Sequence, residues 1–146
     1  MRETEGEKLR ADVMSRMEHI LGVVGEIERL SPQTLENYRA RLRAKIEELL
    51  GDSTVYEQRL LTETAIFADK IAVDEETVRL RSHFDQMQKM LGSGEAVGRK
   101  LDFIVQEMNR EANTIGSKCQ NSDVAHMVVE IKAEIEKIRE QIQNIE

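Results

Sequence analysis

Residues 121–146 read NSDVAHMVVEIKAEIEKIREQIQNIE, and this stretch decides the fold class. Val124, Val128, Ile131, Ile135, Ile138, Ile142 and Ile145 step alternately by four and three. That spacing gathers them into one stripe of an α-helix, and Lys, Glu, Arg and Gln fill much of the remaining surface. Asn121 or Ser122 supplies the start signal, a short polar side chain just ahead of the periodic run. A bare isoleucine seam would aggregate in water, so this helix needs a partner. Either the chain's own helices cover the stripe, or a second subunit shares in covering it. β-branched residues at both seam positions favour assemblies larger than a two-stranded parallel coil.

The same grammar works outward from there. Upstream, a helix is expected from about Ala96 to Ser117, with Val97, Leu101, Ile104, Met108, Ala112 and Ile115 as its buried stripe. Gly92-Ser93-Gly94 breaks the chain before it. A further helix opens at Asp74 as N-cap and carries Leu80, Phe84, Met87 and Leu91. Another covers roughly Thr54 to Ile71, after a turn at Gly51-Asp52-Ser53. Between Glu3 and Leu30, the residues Val13, Met17, Ile20, Val24 and Ile27 repeat the stripe. Ser31-Pro32 then predicts a boundary, with Ser31 as N-cap and Pro32 in the first turn of a helix reaching Leu50 on Leu35, Leu42, Ile46 and Leu49. The expected fold is all-α: elongated helical hairpins, or a bundle of about six helices, with coiled-coil-like packing. It is expected as a single unit over residues 1–146, with an N-terminal helical hairpin over about 1–58 and a second part over 59–146.

Composition agrees. Charged residues make up 34% of the chain and apolar ones 40%, with 3% aromatics and no Trp, which suits helices that bury one narrow stripe. The net charge of −7 lowers the expectation of a strong nucleic-acid grip, because phosphate neutralisation needs a basic face. Cys119 is the only cysteine, which excludes an intrachain disulfide and a Cys-rich zinc site. No apolar run approaches the roughly 20 residues of a membrane span, and residues 1–8 lack the apolar core of a signal peptide. A cytoplasmic protein without a membrane partner is therefore expected.

From Glu95 onward the text EAVGRKLDFIVQEMNREANTIGSKCQNSDVAHMVVEIKAEIEKIREQIQNIE closely resembles the C-terminal signature of the YicC/YloC family of bacterial endoribonucleases. Asp74-Glu75-Glu76, Arg79-Leu80 and Ser82-His83-Phe84 resemble that family as well, and Met1-Arg2-Glu3-Thr4-Glu5-Gly6 resembles an internal segment of it. The family's proteins are about twice this length, so its N-terminal domain is expected to be absent from this chain. Cys119 stands where the family commonly has serine, which argues against a nucleophilic role. The resemblance implies cleavage of single-stranded RNA with support from a divalent cation, manganese, in a hexameric homo-oligomer. RNA is then the expected partner, with no DNA. Two other functions stay open: a non-catalytic RNA-binding adaptor, and an oligomerisation module.

The residues themselves offer candidates. The polar side of the helix near 96–117 carries Arg99, Gln106, Arg110, Asn113 and Ser117, and Phe103 also projects there. Two asparagines cost helix propensity, which points to placed polar groups on a helix contacted from both sides. Three readings are compatible with it. One is a buried polar network between helices or subunits involving Gln106, Asn109 and Asn113. The second is a metal site, in which Glu107 and Glu111, one turn apart, both reach Mn²⁺ or Mg²⁺, since hard cations prefer oxygen ligands. Asp102 joins only if another helix or subunit brings the geometry round. The third is phosphate contact by Arg99, Lys100, Arg110 and Lys118. His83 is the best general-base candidate by residue type, because histidine titrates near neutral pH, although a lone His beside Phe84 also reads as a packing residue. Finally, Arg39, Arg41, Arg43 and Lys45 form a cluster with no acid among them, either an RNA-facing stripe or salt-bridge partners of neighbouring helices.

Overall fold

The computed structural model describes residues 2–51, 55–93 and 98–145. Among these the chain is all-helical, with α1 at Arg2–Leu50, α2 at Val55–Ile71, α3 at Asp74–Gly92, α4 at Gly98–Lys118 and α5 at Ser122–Ile145. The helix near the C-terminus starts as its sequence predicts. Asn121 Oδ1 accepts hydrogen bonds from the backbone N–H groups of Asp123 (2.8 Å) and Val124 (3.3 Å), satisfying donors that the first turn leaves orphaned. The Asn121 amide also donates to Thr34 Oγ1 at 3.2 Å, which ties the α4–α5 turn to the middle of α1. At the other expected cap, α3 begins with Asp74 itself, and Val73 holds the cap position without a side-chain bond.

The expected six helices are five among the described residues, because no boundary forms at Ser31-Pro32. α1 runs 49 residues straight through Pro32, a length of about 74 Å at 1.5 Å per residue. Ser31 does not cap; its hydroxyl donates to the Ile27 carbonyl at 3.0 Å, and Thr34 Oγ1 donates to the Leu30 carbonyl at 3.1 Å. Proline inside a helix costs about 3 kcal/mol through its missing donor and its clash with the preceding turn. Each buried Val, Ile or Met contributes about 1.5–3 kcal/mol. Val13, Met17, Ile20, Val24 and Ile27 are buried ahead of the proline, and Leu35, Tyr38, Leu42 and Ile46 are half-buried beyond it. Burial on both sides outweighs one strained turn, so the hairpin expected within residues 1–58 does not fold back at that point.

Packing divides α1 in function. Its first part joins α3, α4 and α5 in a closed ring, in which α1 meets α5, α5 meets α4, α4 meets α3 and α3 meets α1. This four-helix bundle encloses the core, and the α5 stripe from Val124 to Ile142 is buried in it. The chain's own helices therefore cover the isoleucine seam; the Ile145 side chain lies outside the described residues. The rest of α1 forms an arm with α2, where Tyr38 and Phe67 stack at 3.7 Å between ring centroids.

The arm turns at Gly51, whose φ of 69° is left-handed and whose N–H bonds to the Glu47 carbonyl at 2.9 Å. A Cβ there meets no described atom within 4 Å, so its cost is purely conformational. Gly51→Ala is expected to destabilise the arm by about 1–2 kcal/mol. Hydrogen exchange across α2 reads this directly: faster exchange is the expected result, and an unchanged rate contradicts it.

Candidate functional site

Sequence pattern placed Glu107 and Glu111 on one helix and left His83 elsewhere in the chain. Packing of α3 on α4 brings the three together: one imidazole nitrogen and one oxygen from each carboxylate lie within 4.8 Å of one another. His83 is half-buried, and both its ring nitrogens are shielded without a hydrogen-bond partner. Buried polar atoms are normally satisfied, so two such nitrogens beside two carboxylates form an unfinished polar site. Glu111 is 5% exposed, whereas Glu107 is half-buried and makes no ion pair among the described residues.

A cation already approaches one edge. Arg79 Nη1 lies 3.8 Å from Glu111, and its Nη2 lies 3.6 Å from Glu75. Arg79 was missed as a site residue, although it stands four residues before His83 and so shares its helix face. One more turn along the same seam, Glu76 is 3% exposed and Lys118 Nζ donates to its Oε1 at 2.8 Å. Lys118 also donates to the Ala72 carbonyl at 3.0 Å. Lys118, expected to contact RNA phosphate, forms an interhelical clamp within this chain, a charge-assisted bond to a buried carboxylate. By sequence Glu76 could supply a further carboxylate, but an acid at a helix start normally reads as a dipole complement.

The remaining expected residues separate. Within one chain Asp102 stands apart from this cluster. It lies on the opposite flank of α4, accepts a hydrogen bond from Gln106 at 3.1 Å, and borders a groove of about 210 Å³ with Asn109, Glu136 and Arg139. Arg99, Lys100 and Arg110 are exposed, as are Gln106, Asn113 and Ser117. Within one chain, therefore, the helix expected to be contacted on both sides is covered on one side only.

The basic cluster on α1 also divides. Arg43 is committed to α2, donating to Glu57 at 2.7 and 3.4 Å. That bond holds the Glu57 carboxyl below its ordinary value and raises Arg43. The clasp therefore contributes above the ordinary carboxylate range and is lost as pH falls through the depressed value of Glu57. Arg39 lies 3.9 Å from Glu36. Arg41 lines an open polar cleft of about 490 Å³ with Asn37, Gln120, Asn121 and Ser122, and Lys45 is exposed. The charge run is thus part structural clasp and part free surface.

Residues 27–146 match the family model described as endoribonuclease YicC-like, C-terminal. The chain is 48% identical over its whole length to the "Probable endoribonuclease YicC" of Clostridioides difficile (strain 630). It is 40% identical over its whole length to the protein of the same name from Haemophilus influenzae (strain ATCC 51907 / DSM 11121 / KW20 / Rd). In both cases the chain spans about half the length of the relative, 50%. No helix among the described residues is long and apolar enough to cross a membrane.

Proposed function

The chain belongs to the endoribonuclease YicC-like family through that family's C-terminal region, and from this premise we propose that it contributes a divalent-cation site to an enzyme that cleaves single-stranded RNA. One observation carries the reading: His83, Glu107 and Glu111 converge from two helices with their donor atoms within 4.8 Å. The donor set fits the ion. Two carboxylates and one imidazole suit Mn²⁺, which accepts both oxygen and nitrogen ligands. In neutral His83 one unpartnered ring nitrogen supplies a lone pair that nothing else in the described chain uses, while the other carries the N–H.

His83 and Glu111 are held by the α3–α4 seam, so their positions are set before any ion or substrate arrives. The half-buried Glu107 forms the solvent-facing side, from which a phosphodiester can approach. Arg79 keeps a cation beside Glu111 and, being 56% exposed along its side chain, can also reach a phosphate oxygen. When bound, the ion supplies positive charge for the scissile phosphate and acidifies water. Assembly into a homo-oligomer, a hexamer by family resemblance, belongs to the same proposal.

A specific observation favours a second reading. Arg79–Glu111 and Lys118–Glu76 alone make an interhelical polar network, as expected of an adaptor or oligomerisation module without chemistry. Calorimetric titration with Mn²⁺ separates the two, alongside cleavage of an unstructured RNA with and without the ion. The enzyme reading expects saturable Mn²⁺ binding that His83→Ala removes together with cleavage. Identical titrations for parent and variant favour the network.

A further inference from the structure

Arg99, Phe103, Gln106, Arg110, Asn113 and Ser117 step along α4 by four and three, the same spacing that builds the buried stripes. Here it builds an exposed one. Phe103 is 62% exposed, and no carboxylate stands within the stripe, in a chain of net charge −7. The nearest acids lie on its edges: Asp102, bonded to Gln106, and Glu107 of the cation cluster. The side chains of Arg99, Arg110 and Asn113 make no hydrogen bond or ion pair among the described residues, although the Arg110 carbonyl accepts from the Thr114 hydroxyl, and the Ser117 hydroxyl is taken up by the Thr114 carbonyl.

We infer that this face of α4 is the track on which single-stranded RNA lies, with Phe103 stacking one unpaired base and Arg99 and Arg110 holding the backbone on either side. The inference rests on the cation-site reading and adds to it the surface that selects single strands. A lone exposed aromatic between two guanidinium groups offers a π-face to a base and charge to phosphates. A duplex keeps its bases stacked inside, so Phe103 contributes to single strands only. Register links the track to the chemistry. Phe103 precedes Glu107 by one turn, about 6 Å along the axis, so a base stacked there brings a flanking phosphate to the cluster. The Asn113 amide is free to read a base edge further along. Two basic side chains flanking an exposed aromatic match a nucleic acid, which offers phosphates and an unpaired base together.

The test is fluorescence anisotropy of a short oligouridylate and an RNA duplex on the full protein, with divalent ions chelated so that binding is read without cleavage. Phe103→Ala is expected to weaken single-strand binding about 10-fold and leave duplex binding unchanged, while Phe103→Trp retains affinity. Arg99→Gln with Arg110→Gln is expected to lower the salt slope by about 1.4, the release from two phosphates. Unchanged oligouridylate affinity in Phe103→Ala overturns the inference. So does an altered sedimentation mass for Phe103→Ala, which would assign the stripe to contacts between copies. Mn²⁺ titration of Phe103→Ala keeps the two proposals apart, since a failed cation site shows there and a failed track does not.

Discussion

Glu107→Gln is expected to lower Mn²⁺-supported RNA cleavage by about a hundredfold or more while the protein stays folded. A hundredfold loss corresponds to about 2.7 kcal/mol of transition-state stabilisation, within the several kcal/mol that a bound cation supplies. Folding is spared because Glu107 is half-buried and makes no ion pair among the described residues, and glutamine keeps its shape. Glu111→Gln is expected to cut cleavage similarly but with a second effect, since it removes the buried partner of Arg79. Asp102→Asn serves as the contrast, because Asp102 lies across α4 beside Gln106 and keeps its hydrogen bond as an amide. Turnover and Mn²⁺ affinity are measured together with thermal melting. Normal turnover in Glu107→Gln, with or without a changed melting point, would remove the cation role and leave the seam as architecture.

Ile135→Asp carries the largest expected effect on stability. Ile135 is 3% exposed on α5, which packs against both α1 and α4, so an aspartate there has no route to water. An unpaired buried charge costs about 3–5 kcal/mol, beyond the lost apolar burial. At about 2–4 °C per kcal/mol for a chain of this size, the melting temperature falls by about 10 °C or more. Ala133→Asp, two positions away and exposed, is expected to change melting little. Because the stripe is buried within one chain, the loss should appear as unfolding at every protein concentration. A variant that melts normally but sediments as a smaller species would show that the seam faces another subunit.

Legibility followed the range of the physical signal. The α5 stripe and the α4 residues Leu101, Ile104, Met108, Ala112 and Ile115 were readable because each contributes burial at a period the sequence displays directly. The start of α5 was readable because Asn121 acts within its own turn. Pro32 misled because its effect is also local: it predicts a break with real physical cause, but a cost of about 3 kcal/mol is small beside the burial on each side. Half of the candidate site was visible as well, since Glu107 and Glu111 stand one turn apart on a recognisable helix.

His83 was visible by residue type, whereas its meeting with those carboxylates was not. Period assigns residues to a face of one helix, and says nothing of which other helix that face will meet. Closure of α1, α3, α4 and α5 into a ring set that choice, and with it turned His83 and Arg79 toward Glu111, drew Lys118 onto Glu76, and left Asp102 on the other flank. The amino-acid order thus determined the helices, their apolar stripes and the family, because these depend on near neighbours along the chain. The pairing of polar groups across α3 and α4 came from tertiary packing, where burial of the isoleucine, leucine and methionine stripes outweighs any single charge and carries the polar residues to their places.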